Sequence, residues 1–290
     1  MQTTTQTTLL QLGHSPDPDD AFMFFALAKD LIPTGPYRFQ HVLQDIQTLN
    51  QRARGAELEI TAISIHAYPY VADRYALTSV GCSMGDGYGP MLIARPGTTL
   101  DSVKNPARTI AIPGKLTTAF LALQLCLGKA PESFVPIVVP FDQIPAFVRD
   151  GKADAGLIIH EGQLTFRTMG LELLVDMGVW WQQQTGLPLP LGGNCIRKDL
   201  GKTVCQEVTD ILRASIQFSL DHRKEAVEYA LQFGRDLDRD LADKFVGMYV
   251  NHWTLDYGPR GRQAITTLLA KGAAAGLVPP IASLEFVTAR

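Results

Sequence analysis

The chain has 290 residues, 46% of them hydrophobic and 19% charged, with a net charge of −3 and both signs dispersed. That length can bury one large or two medium cores. The composition excludes a disordered chain, and the charge leaves no footprint for nucleic acid or an anionic membrane. Four widely spaced cysteines, Cys82, Cys126, Cys195 and Cys205, form no C-x-x-C pair, which fits a reduced compartment. The start MQTTTQTTLLQLGHS lacks a basic segment and a long apolar run. No stretch of about 18 apolar residues occurs either, so a cytoplasmic protein without membrane insertion is expected.

Thr8–Leu12 reads as a short strand and Gly13–Asp20 as a loop broken by Pro16 and Pro18. Ala21–Lys29 reads as a helix that an aspartate can cap. Free N–H groups at a helix start can receive an anion. Asp17, Asp19 and Asp20 oppose that by repulsion, and the alternative is that they cap and solvate a turn. Tyr37–Leu43 is a second strand, and Ile46–Arg54 a helix with Ile46 and Leu49 on one face. Leu58–Ile65 is a buried strand ending in the polar Ser64 and His66, and Pro69–Arg74 is a short helix. Gly81–Pro90, GCSMGDGYGP, is too rich in glycine for a helix. It matches neither a Walker loop nor a strand–GxGxxG–helix unit. Its backbone is expected to approach a ligand closely, beside a strand, Met91–Ala94, that passes between domains.

Thr109–Ile112 is a further strand, followed by the Pro113–Thr118 loop and the helix Ala119–Leu127. Thr117 or Thr118 is its natural cap. Their hydroxyls, with the first-turn N–H groups, could hold a carboxylate or phosphate, or could cap and nothing more. Ile137–Val139 is a strand and Phe141–Arg149 a helix. Gly156–Ile159 is uniformly apolar, as in a strand buried on both faces, and it stops at His160-Glu161-Gly162. Val103–His160 therefore reads as a βαβαβ unit. Ligands bind outside the carboxyl ends of such strands, so His160 stands where a ligand is expected, and imidazole suits proton exchange near neutral pH. A structural histidine held by a carbonyl is the competing reading. In an extended segment Glu161 would face the other way, so it is not read as the partner that orients His160.

After an irregular Gln163–Met169, Leu173–Asp176 is a strand. Trp180 and Trp181 are core or the wall of an aromatic site. The Pro/Gly-rich Thr185–Gly193 reads as a return crossing, followed by Asn194–Lys198. The rest is helical: Val204, Val208, Ile211, Leu212 and Ser215 share one face, and Glu225–Phe233, Asp240–Trp253 and Arg260–Ala275 follow. Lys198, Arg223, Arg235 and Arg239 read as solvated charges. The fold class is α/β with two lobes, residues 1–93 plus 191–290 and residues 94–190. The ligand cleft lies between them and closes by a hinge.

Several segments carry a resemblance. Ser15-Pro16-Asp17-Pro18-Asp19-Asp20-Ala21-Phe22 resembles an S-P-x-P-N-D-x-F opening, and Pro113-Gly114-Lys115-Leu116-Thr117-Thr118-Ala119 a P-G-x-x-T-T-A loop. Ala155–Glu161 resembles A-G-L-I-I-H-E, and Thr185–Gly192 fits as well. Together, in this order, they resemble the 1,4-dihydroxy-6-naphthoate synthase family of the futalosine route to menaquinone. The resemblance implies a fold like that of type II periplasmic binding proteins. It implies a carbon–carbon lyase without metal or organic cofactor. The substrate would be cyclic dehypoxanthinylfutalosine, a small aromatic carboxylate with a sugar-derived ring. It makes His160 the general base, and Ser64, Thr117 and Thr118 the groups that hold the carboxylate and the sugar hydroxyls. Ser15, Asp19, Ala62 and Ile63 are expected beside them as substrate contacts. Asp19 departs from the motif, where asparagine is usual.

Three other readings compete. Chorismate dehydratase of the same route shares the fold but lacks the histidine of I-I-H-E. A solute-binding protein would return its ligand unchanged. The effector-binding half of a transcription regulator would need a helix-turn-helix segment before the first strand and a charge suited to DNA. The remaining histidines have no metal-type spacing; His14 and His66 follow strands and are secondary candidates for the cleft.

Overall fold

The apolar runs of the sequence become the strands of two sheets in a computed structural model that describes residues 7–234 and 238–290; Arg235 lies outside them. The first sheet takes β1 (Thr8–His14), β2 (Tyr37–Leu43), β3 (Ile60–Ser64), β4 (Tyr75–Thr78) and β5 (Ser83–Gly85). The chain then crosses to β6 (Met91–Ala94), β7 (Thr109–Ile112), β8 (Val135–Val138), β9 (Ala155–Ile158) and β10 (Glu172–Asp176). It returns with β11 (Leu189–Arg197) and β12 (Phe286–Val287). The orders are β12-β4-β11-β3-β1-β2, with β5 also on β11, and β10-β6-β9-β7-β8. β7 is parallel to both β8 and β9, as a βαβαβ unit requires. β6 and β11 are antiparallel to the strands they join, so both sheets are mixed.

The changes of sheet precede the boundaries read from composition. Met91–Ala94 pairs with β9 and β10 along its whole length, so it lies within the second sheet rather than ending the first lobe at residue 93. Leu189 and Pro190 pair with Gly85 and Met84 and lie in the first sheet. The Pro/Gly run at 185–193 is thus half strand. Pro190 has no N–H to give, and the ladder tolerates it where the register shifts between Pro190 and Gly192.

The glycine-rich segment 81–90 makes close backbone approaches, but Gly89 meets protein rather than ligand. A Cβ on Gly178 would lie 1.8 Å from the Tyr88 carbonyl oxygen, and one on Gly89 2.7 Å from the Gly178 nitrogen. The two crossings are therefore in backbone contact.

Helix boundaries shift where a local interaction outweighs the periodicity. The expected Ala21–Lys29 helix starts earlier and breaks at Phe24 into Pro18–Met23 and Phe25–Ala28. The expected Asp240–Trp253 helix ends at Tyr249. Asn251 then caps a new turn, His252–Leu255, in a reciprocal pair with Thr254. Trp181 is fully buried and donates from Nε1 to the Pro188 carbonyl, so it belongs to the core. Lys198 and Arg223 are ion-paired with Glu285 and Asp243.

Candidate active site

A cleft between the sheets holds about 810 Å³ of empty space, counting its mouth, within the range of small-molecule sites. Ser15, Asp19, Ala62, Ile63, Ser64, Thr117 and Thr118 all line it. Its floor comes from β3 and β11. Ala62 and Ser64 lie on one face of β3. Their partners across the ladder are Asn194 and Gly192, so those four positions share a face.

Ser64 is held by Asn50, a buried side chain on the Ile46–Arg54 helix. The Ser64 N–H donates to Asn50 Oδ1 at 2.8 Å, and Asn50 Nδ2 donates to Ser64 Oγ at 2.9 Å. Asn50 fills an acceptor position of that hydroxyl and leaves its O–H proton to donate into the cleft. The second lobe approaches here too. The Leu116 N–H donates to Gln47 Oε1 at 2.9 Å, and Asn50 Nδ2 also reaches the Leu116 carbonyl.

The threonine hydroxyls are committed to the protein. Thr117 Oγ1 donates to the Gly114 carbonyl and accepts the Phe120 N–H as the cap of helix Thr118–Leu127. Thr118 Oγ1 donates to the Leu191 carbonyl and accepts the His66 N–H. Neither has a proton left for a ligand. The donors this loop offers are the N–H groups of Thr118 and Ala119, which open the helix and have no acceptor within it. His66 does not line the cleft. Its Nδ1 bonds the Thr117 carbonyl at 2.9 Å, so it holds the loop from behind.

Asp17, Asp19 and Asp20 line the opposite wall. Asp17 occupies the cap position of Pro18–Met23, and Asp20 Oδ2 accepts the Ser15 N–H at 2.6 Å. Burial raises the Asp19 carboxyl above the usual carboxylate range, and the neighbouring Asp20 and Glu161 add to it. Burial likewise raises Asp20 against the opposing pull of the Ser15 N–H. His14 stands behind this wall rather than on the cleft. Its Nδ1 contacts the Ser15 carbonyl at 3.1 Å, and Nε2 bonds His41 Nδ1 at 2.8 Å. Burial, then the charge of His41, pushes His14 down to about 3, so it stays neutral.

His160 is 5% exposed and does not line the cleft; its neighbour Ile159 does. The strand stops at Ile158, and Glu161 already has helical backbone, φ −53° and ψ −20°. The alternation expected of an extended segment therefore does not govern residues 160 and 161. The imidazole meets the Phe141 ring edge-on, with centroids 5.2 Å apart. Gly162 lies against it, where a Cβ would be 2.9 Å from His160 Cε1. The next residue along the chain, Gln163, ties the lobes. The Tyr249 hydroxyl donates to Gln163 Oε1 at 2.6 Å, and Gln163 Nε2 donates to the Gly89 carbonyl at 2.8 Å. Among the described residues, no helix is long and apolar enough to cross a membrane, and no group of three or more His, Cys, Asp or Glu side chains could hold a metal ion.

The cleft also contains residues that the sequence pattern does not single out. Gly192, Gly193, Asn194, Phe245 and Tyr249 line it, and Asn50 supports it. Asn50 had one signal, a polar side chain on the buried stripe next to Leu49. Tyr249 and Phe245 had none, because they reach the cleft from a helix whose pattern describes only its own packing face.

A family model described as menaquinone biosynthesis matches residues 10–274. The chain is 38% identical over 272 residues to a 1,4-dihydroxy-6-naphthoate synthase of Thermus thermophilus, covering 93% of this chain and 96% of the relative. It is 37% identical over 274 residues to the synthase of Streptomyces coelicolor, covering 94% and 95%. A solved structure of an Archaeoglobus fulgidus protein superposes with a TM-score of 0.88 at 41% identity, covering 95% of this chain and 100% of that one. A Candida albicans protein described as having the generic periplasmic-binding-protein fold superposes with a TM-score of 0.68 at 14% identity, covering 94% and 92%. The two sheets and the cleft between them are thus the two-lobed fold of periplasmic binding proteins.

Proposed function

The chain belongs to the menaquinone-biosynthesis family and serves that route as an enzyme; on that premise we propose that it is a carbon–carbon lyase that converts cyclic dehypoxanthinylfutalosine to 1,4-dihydroxy-6-naphthoate. The observation that carries the reading is one end of the cleft. Ser64, Thr118 and Ala119, which bring a hydroxyl and two first-turn N–H donors, line the cleft together with Ala62 and Gly192. Donors at a helix start suit a carboxylate, and small side chains suit a flat ring. The sugar-derived ring then lies toward Asp19 and Asp20. Their raised carboxyls carry less negative charge against an anionic substrate and can bond its hydroxyls.

His160 is the base in this reading. It removes a hydroxyl proton, and the oxygen's electrons form a carbonyl as the adjacent carbon–carbon bond breaks. The pair from that bond is taken up as an enolate on the other side of the break, which is then protonated, and departure of the sugar fragment lets the second ring aromatise. The imidazole stands one residue beyond Ile159, so it must turn inward as substrate binds. A positioned base contributes about 10²–10⁴-fold. His160→Asn should therefore keep substrate binding and lose turnover by at least about 10²-fold.

The direct test is mass spectrometry of products after separate incubations with cyclic dehypoxanthinylfutalosine and with chorismate. Formation of 1,4-dihydroxy-6-naphthoate from the first alone is expected. Consumption of chorismate instead, or recovery of the futalosine derivative bound but unchanged, would overturn the reading.

A further inference from the structure

We propose that Asn194 determines specificity at the far end of the same cleft, by hydrogen-bonding a neutral oxygen on the part of the ligand that does not carry the carboxylate. The inference rests on the substrate reading above and adds a second recognition point to it. Asn194 is 1% exposed and lines the cleft. It stands opposite Ala62 on the antiparallel ladder, and Ser64 stands opposite Gly192. Its side chain therefore emerges on the face that carries Ser64.

Its Nδ2 is buried and has no hydrogen-bond partner in the protein. An unmet buried donor is costly, and most such groups are satisfied. The chain keeps space for this one: a Cβ on Gly81 would lie 2.0 Å from that nitrogen. Gly81 has φ +77°, a conformation that favours glycine.

The spacing defines the ligand. Diagonal neighbours on an antiparallel ladder are about 7–8 Å apart, so Ser64 and Asn194 are separated by roughly the width of a substituted ring. Between them lie Ala62 and bare Gly192. The site fits a planar aromatic acid whose carboxylate meets Ser64 and the Thr118–Ala119 turn. A carbonyl or hydroxyl oxygen on the adjoining ring then meets the Asn194 carboxamide. A site built to bond an oxygen discriminates against the analogue that lacks it.

The test compares two probes by calorimetry under anaerobic conditions: 1,4-dihydroxy-6-naphthoate and 2-naphthoate, which keeps the carboxylate but has no ring oxygen. Wild-type protein should prefer the dihydroxy acid. Asn194→Ala should weaken that acid by about tenfold and leave 2-naphthoate within about twofold. Asn194→Leu, which keeps a similar volume and removes the N–H donor without adding charge, should behave alike and guards against a defect caused by the cavity that alanine leaves. Equal losses for both probes, or no loss for either, would overturn the role of Asn194 while leaving the substrate reading intact. Wild-type protein that binds neither probe and does not turn over the futalosine derivative would overturn both.

Discussion

Asp19 places a carboxyl on the cleft wall, beside Asp20 and within the field of Glu161. Its folded-state pKa is raised above the unfolded value. Between those two values the folded state binds more protons, so its contribution to stability falls as pH rises through that window. Asp19→Asn removes the penalty. It should raise stability at pH 8 by on the order of 1–3 kcal/mol, with the gain disappearing below about pH 4. Thermal melts of both proteins across that range check it, and an unchanged melting difference at every pH would refute it. At this scale the sequence was informative about position and less so about role. Ser64, Thr117 and Thr118 were legible because polar groups follow apolar strands. That the threonine hydroxyls are occupied, and that the adjacent N–H groups are the available donors, depends on Gly114, Leu191 and His66, which come from other parts of the chain.

At the level of elements, Asp154 fastens the start of β7. It accepts the Thr109 N–H at 2.8 Å and hydroxyl at 2.9 Å, and pairs with Arg108 at 2.8 Å. Burial pushes its carboxyl up, but these donors outweigh it and hold the pKa below the usual value. Stability from a depressed carboxyl is present above the unfolded pKa and is lost as pH falls through the folded one. Asp154→Ala should cost about 1 kcal/mol at pH 7 and progressively less on acidification below the ordinary carboxylate range, read by denaturant melts. The glycine contact between the crossings makes a sharper prediction. Gly178→Ala would press a methyl onto the Tyr88 carbonyl and should destabilise by about 1–3 kcal/mol without altering any group that lines the cleft. The strands at 37–43, 91–94 and 109–112 were legible to the residue because apolar periodicity marks them. β11 was not, since proline and glycine signal a loop unless the partner strand is known.

Across the whole molecule, the lobes share a buried apolar cluster that includes Ile63 and Leu268 from one and Leu121 and Leu157 from the other, and polar contacts add to it: Gln47 and Asn50 on Leu116, His66 on the Thr117–Thr118 turn, and Gln163 between Tyr249 and Gly89. Gln163→Ala removes the last of these. Ligand-free protein should then scatter X-rays as a larger, more open particle, and ligand should restore the compact form. An unchanged radius of gyration would argue against Gln163 as a tie. The bilobed plan was legible from the alternation of strands and helices, whereas these ties require both lobes to be in place.

The passages between lobes run side by side: Tyr88 and Gly89 lie against Gly178, and where both enter the first sheet Leu189 faces Gly85 and Pro190 faces Met84. They act as the spine of a book. Swinging of the covers about that line would keep these contacts, whereas sliding or independent twisting would break them. The expected motion is therefore one opening movement, widest at the fore-edge, and adding residues to one passage alone should leave covers that no longer meet squarely.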